Sequence, residues 1–448
     1  MTPFPINETT PVQFGRSLPK SADVVVIGGG IIGVMTAWYL AKRGLRTVLC
    51  EKGRIAGEQS SRNWGWVRQQ GRDPAELPIM IEANRLWQGL AAETGEDLGF
   101  RQTGTLYLAN SAKDMAGFEA WMEHARAHHL DTRLLSRADV QAMLPSAVTD
   151  WPGGLHTASD GRAEPWTAVP AFARAAERAG VSLYEACAVR CLDLQAGRVA
   201  GVVTEQGRIA CDQVVLAGGA WSSLFARNHG VDIPQLSVRA TVAATAPLPD
   251  VFAGNAADSH FAFRRRADGG YTLALGAWHE FFLGPDAFRH LAMFLPQVRK
   301  DPFGTRYLPA APRHYPDAWG TSRHWTGDRA SPFEAVRILN PTPNAAAIAR
   351  MQTHFAAAFP HIGRPKIATA WAGMIDSLPD VVPVIDRTTS LPGLVLATGM
   401  CGHGFGIGPA IGRIVADLVA GNPVGHDLTR FRFSRFSDGS KIELGPSL

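Results

Sequence analysis

The sequence predicts an α/β fold of two domains, and three observations predict it. The first is the run Asp23-Val24-Val25-Val26-Ile27-Gly28-Gly29-Gly30-Ile31-Ile32-Gly33. A β-branched strand feeds a Gly-x-Gly-x-x-Gly turn, a helix-period segment follows, and an acid, Glu51, closes the next apolar run. The second is Gln213-Val214-Val215-Leu216-Ala217-Gly218-Gly219-Ala220-Trp221-Ser222, again a strand running into small residues and a helix. The third is Leu394–Thr398 followed by Gly399, Gly402, Gly404, Gly406 and Gly408, glycines crowded ahead of a last helix.

Each element follows from these. Gly28 permits the tight turn, Gly30 lets backbone amides approach a pyrophosphate at the helix N-terminus, and Gly33 lets helix and strand pack closely. Glu51 then accepts hydrogen bonds from an adenosine ribose and repels a 2′-phosphate, which disfavours NADP and leaves NAD or FAD. An NAD dehydrogenase completes its nucleotide fold in one block, whereas here the domain returns twice, so the arrangement fits FAD. The expected fold is thus a discontinuous Rossmann-like FAD-binding domain, built from residues 1–75, 150–230 and 365–448, with a mixed-sheet substrate-binding domain from 76–149 and 231–364. A helical lid is expected around 279–325.

Composition narrows the function. The net charge of +4, from 44 basic and 40 acidic residues, is small and unclustered, so nucleic acid is not an expected partner. Met1–Lys20 lacks the apolar core of a signal peptide, and no stretch is apolar enough to span a bilayer. The expected location is the cytoplasm, with peripheral contact at the inner membrane left open through the amphipathic segment Phe281–Val298. Cys50, Cys187, Cys191, Cys211 and Cys401 make no paired metal-ligand pattern, so no metal site is expected.

Between the three nucleotide segments, Lys52–Trp66 is rich in small and hydroxyl residues, suited to a phosphate and flavin cradle that includes Lys52, Gln59, Ser60, Ser61 and Arg62. Residues 74–93 have helical spacing, 102–109 reads as a strand of another layer, and Pro165 opens a helix ending near Gly180. Phe261–Tyr271 reads as a hairpin turning at Asp268-Gly269-Gly270. The last helix, behind Gly402, His403, Gly404, Phe405 and Gly406, points a partial positive charge at a flavin edge that becomes negative on reduction. His403 is expected to serve as a structural hydrogen-bonder, and Cys401 is not expected to make a covalent flavin link.

These motifs resemble the D-amino acid and glycine oxidase family of flavoproteins. A narrower resemblance is to the bacterial L-amino acid deaminases and L-amino acid oxidases. It is carried by Glu51-Lys52-Gly53, Ile55-Ala56-Gly57-Glu58-Gln59-Ser60-Ser61-Arg62, Phe263-Arg264, Ala267-Asp268-Gly269 and Ser331-Pro332-Phe333-Glu334. The resemblance implies non-covalent FAD, contacted also by Ile31, Ile32, Val189, Gly218 and Trp221. It places the substrate carboxylate on Arg264, while Trp64, Trp66, Phe261 and Trp371 are either pocket-lining or plain core. Many members carry an arginine after Trp-x-Gly, where this chain has Met374-Ile375. The implied reaction is oxidative deamination of an L-amino acid by hydride transfer from Cα to flavin N5, with oxygen or a respiratory quinone as acceptor. No general base is assigned, since none is required for a neutral amine. Oxidation of a secondary amino acid such as sarcosine or an opine stays open. So does a flavoprotein that only binds partners. Oligomeric state is not read from the sequence.

Overall fold

The computed structural model of the chain describes residues 2–276, 278–300, 302 and 304–445. Met1 and 446–448, the outermost positions of the expected FAD-binding segments, lie outside the described residues.

A six-stranded sheet gathers strands from distant parts of the chain, in the order Val384–Arg387, Leu394–Thr398, Gln213–Leu216, Val24–Ile27, Thr47–Cys50 and Ser182–Tyr184. All neighbours are parallel except the outermost Val384–Arg387 pair. Parallel strands buried on both faces need continuous apolar runs, and Val24, Val25 and Val26 are fully enclosed. The helices Ile31–Lys42 and Gly404–Ala420 cross on one face of this sheet, where glycine sets the approach. A Cβ at Gly412 would lie 2.4 Å from that of Met35. An antiparallel sheet of Val189–Gln195, Arg198–Thr204 and Gly207–Ala210 flanks the same unit.

The second layer is a ten-stranded mixed sheet. Its centre is Leu236–Thr245, paired antiparallel with Ile367–Ser377 over ten residue pairs. Those two strands carry the sheet back to the nucleotide segments. Gln102–Ala109 contributes its strand at Thr105–Leu108, delayed by Gly104 in left-handed backbone. The hairpin Phe261–Arg265/Tyr271–Leu275 pairs in register through Phe263 and Leu273.

The segment around 279–325 departs from a helical lid. His279–Phe282 is a strand, Phe281 pairing with Val238, because the edge of Leu236–Thr245 is free to accept it. Gly284-Pro285 then opens the first of two short helices, Pro285–Arg289 and Leu291–Lys300, which part at His290. Phe288, Leu291 and Trp319 stay exposed there. No helix among the described residues is long and apolar enough to cross a membrane.

Candidate functional site

A cleft of about 1180 Å³ opens along the C-terminal ends of the parallel strands. Gly28, Gly29 and Gly30 form its floor, and only glycine fits there: Gly28 has φ +110°, and a Cβ on it would meet the Ala217 carbonyl oxygen at 2.4 Å. Helix Ile31–Lys42 starts at Gly30 with no side-chain cap, so its first-turn amides face the cleft as an anion site. Ser60 Oγ accepts the Ile31 amide at 2.9 Å.

Glu51 lines the same end. Its two carboxylate oxygens accept the Gly29 and Gly53 amides at 2.7 Å each, which fixes the turn against the acid. Burial pushes its carboxyl up to about 7, opposed by Lys52 and those amides. Lys52 donates to Glu58 at 2.7 Å and to the carbonyls of Val336 and Arg337, while its ammonium lies 4.4 Å from the Trp221 ring. Lys52 therefore clasps the strand-free segment 336–339 over the cleft rather than offering a free charge. Ile31, Ile32, Gln59, Ser60, Val189, Gly218 and Trp221 complete this wall.

The other end is made by Met374, Asp376, Thr398, Met400, Gly402, Gly404 and Phe405. Asp376 Oδ2 accepts the amides of Gly399 at 2.9 Å and Met400 at 3.1 Å, holding the glycine loop in place. Cys401, buried beneath it, has its thiol pushed well up by desolvation and donates to the Gly399 carbonyl.

Five expected cofactor residues stand behind the wall instead of in it. A Cβ on Gly33 would fall 1.9 Å from the Gly28 carbonyl oxygen, so Gly33 is the close-packing glycine. Ser61 donates inward to the Ala56 carbonyl at 2.5 Å. Arg62 is buried and donates to Gly57, Asn340 and Ala372. Gly406 presses on the Trp66 carbonyl and accepts the Trp87 indole N–H. His403, expected as a structural hydrogen-bonder, donates its backbone amide to the Met400 carbonyl at 2.8 Å, and its ring nitrogens are buried without a partner at hydrogen-bond geometry among the described residues. Its Nδ1 stands 3.4 Å from Glu76 Oε2, and burial, with Arg72, pushes the imidazole down to about 4.

The expected substrate residues separate. Trp64 and Trp66 meet edge to face at 5.5 Å, and Trp66 adjoins Tyr107 at 6.4 Å. Trp371 is core, its indole donating to the Arg62 carbonyl at 2.8 Å between Phe4 and Trp166. Phe261 points to the opposite sheet face, stacked on Phe263 and edge-on to Phe355. Arg264 is 1% exposed, and its fork is taken: Nη1 and Nη2 bond Glu164 at 2.9 and 3.1 Å, with Ala163 and Thr272 completing the set. A guanidinium already matched to the chain's own carboxylate has no fork left for a substrate.

Arg68, which the sequence reading passed over, has the opposite environment. It is half-buried, meets the Tyr107 ring at 5.7 Å and bonds the Gln70 carbonyl, yet forms no ion pair among the described residues. Its backbone is pinned from both sides. Val67 pairs with Gly161, and the Gln69 amide donates to Asp160 at 2.7 Å. The sequence signal was its place two residues after Trp66, in the loop just ahead of the helix that begins at Leu77. Asp376 and Glu58 were also missed, being lone acids in sequence that only the fold brings to the cleft.

Known proteins resemble this chain over most of its length. L-amino acid deaminase from Proteus myxofaciens, solved with anthranilate, superposes with a TM-score of 0.90 at 31% identity, covering 95% of this chain and 96% of that one. Sarcosine oxidase subunit beta of Rhizobium meliloti is 27% identical over 428 residues, 94% of this chain and 90% of that protein. Human mitochondrial sarcosine dehydrogenase is 32% identical over 231 residues, but the match spans only 25% of its length. The DAO family model, described as FAD dependent oxidoreductase, matches residues 23–418, and the chain belongs to that family of FAD-dependent oxidoreductases.

Proposed function

We propose that the protein oxidises an L-amino acid to its 2-oxo acid and ammonia, with non-covalent FAD in the Gly28–Phe405 cleft. The residues fit that group. Gly28, Gly30 and the first-turn amides that follow Ile31, whose own amide goes to Ser60, would take the pyrophosphate, Glu51 the ribose, and the Gly402–Phe405 wall the ring system. Cys401 is bonded on both sides and kept protonated, which supports a non-covalent cofactor.

The observation that carries the reading is Arg68: a guanidinium without an ion-pair partner among the described residues, set over the Tyr107 ring beside Gly71 and following Val67, whose backbone packs on Gly406 of the last helix. A bidentate hold on a substrate carboxylate orients Cα, and Trp64, Trp66 and Tyr107 exclude water around the side chain. FAD held there would supply the two-electron oxidation of the Cα–N bond, and hydrolysis of the resulting imino acid by water would give the 2-oxo acid and ammonia. The likeness to the Proteus deaminase supports a primary L-amino acid. The likeness to sarcosine oxidase subunit beta supports the second reading, an N-methyl amino acid.

Anaerobic mixing of the purified yellow protein with L-, D- and N-methyl amino acids tests both. Bleaching by L-amino acids alone supports the first, bleaching by N-methyl compounds alone the second, and bleaching by neither removes both. Peroxide formed in air during turnover identifies oxygen as the acceptor; its absence points to a quinone.

A further inference from the structure

Behind the glycine loop lies a buried charge cluster that the reaction just described does not use. Arg72, Glu76 and His403 are 4%, 0% and 6% exposed. Glu76 Oε2 faces Arg72 Nη1 at 3.9 Å and His403 Nδ1 at 3.4 Å. Five atoms of these three side chains, Arg72 Nη1, both Glu76 oxygens and both His403 nitrogens, are buried without a hydrogen-bond partner among the described residues. So many orphaned polar atoms in one spot are rare in folded proteins unless ordered water or a ligand completes them. The loop that carries His403 puts Gly402 and Gly404 into the cleft wall, and Arg72 Nη2 lies 3.6 Å from where a Gly406 Cβ would be. The cluster is therefore one residue layer from the ring end of the cleft.

We infer that Arg72 and Glu76 are positioning residues whose opposed charges, behind the glycine loop that carries His403, set the reduction potential of the bound flavin. Reduction places negative charge on the ring, so a cation behind the loop favours the reduced form and an anion opposes it. Arg72 and the helix N-terminus at Gly404 supply the first influence and Glu76 the second. Arg68, on the same side, adds to the first; it is one of the charges that hold Glu76 below its usual range and His403 down. Bridging water would complete the orphaned atoms without changing this balance. The inference rests on FAD in the cleft and not on which amine is oxidised.

The test is the flavin midpoint potential of the FAD-loaded protein, measured by dye-coupled reduction without substrate. A buried unit charge acting at an effective dielectric of about 20 is expected to change the oxidised/reduced equilibrium roughly tenfold, which is about 30 mV for two electrons. Glu76→Gln is expected to raise the potential by that amount and Arg72→Met to lower it. Arg72→Lys is expected to stay near wild type, and the double variant Arg72→Met/Glu76→Gln to return toward it. Equal potentials for Arg72→Met and Arg72→Lys, or shifts of the same sign for Glu76→Gln and Arg72→Met, overturn the inference. If Glu76→Gln does not retain FAD, the Arg72→Met/Arg72→Lys contrast decides alone. A deaminase reading that fails in the substrate panel leaves these potentials unchanged, so the two failures are distinguishable.

Discussion

Arg264 and Arg68 are both within a few residues of the Trp64–Trp66 turn in space, and the fold treats them in opposite ways. A Cβ on Gly65 would touch the Arg264 guanidinium at 2.9 Å, so Arg264 lies directly under the turn, fully buried and locked to Glu164. Arg68 emerges from the far side of the same turn, half-buried against Tyr107 with no carboxylate partner among the described residues. The difference teaches that a buried arginine in a hairpin next to an active cleft is a strut when the chain supplies its anion. Where the chain leaves the anion out, the fork is open to a substrate carboxylate, which is the role proposed for Arg68.

The largest expected effect lies away from both arginines, at the Gly28–Gly33 turn that would hold the cofactor they adjoin. Gly33→Ala drives a methyl into the Gly28 carbonyl and should abolish FAD retention, read as loss of the yellow chromophore on gel filtration. Retention of FAD by that variant would mean the fingerprint tolerates a shift the geometry forbids. Next, Arg264→Met leaves buried Glu164 with only Arg162 at 3.8 Å and the Ala267 amide, and is expected to lose about 3 kcal/mol of stability in urea unfolding. Arg264→Met/Glu164→Leu should regain most of that loss. A variant that folds normally and fails only to bind substrate would make Arg264 the receptor after all.

A smaller effect comes from His403. Its folded value is down at about 4 from the ordinary 6.5, so between those values the unfolded chain binds a proton that the folded chain refuses. The stability it contributes is present above pH 6.5 and is lost as pH falls toward 4. Wild type should therefore lose on the order of 3 kcal/mol more than His403→Gln between pH 7 and pH 4.5. Equal losses would mean that the imidazole is already charged in the fold.

The nucleotide half of the fold was legible because its signals are local. A β-branched strand, three glycines at fixed offsets and a distant acid each carry a physical requirement that no neighbour can relax. The second sheet was legible only in pieces. Phe281 reads as helix by spacing, but the open edge of Leu236–Thr245 recruits it as a strand. Arg264 misled for a similar reason: Glu164 is 100 residues away in sequence, and nothing local announces the pair. The same holds for Arg72, Glu76 and His403, whose meeting across more than 300 residues is a product of the last helix docking against Leu77–Thr94.

The most direct measurement is an anaerobic substrate titration of Arg68→Met beside wild type, following flavin bleaching with the best amino acid from the panel. Losing one partner of a charge-assisted pair costs about 2–5 kcal/mol, so the half-saturating concentration should rise at least about thirtyfold. FAD content and unfolding midpoint should stay at wild-type values. An unchanged titration for Arg68→Met would contradict the assignment and return the substrate carboxylate to another cation.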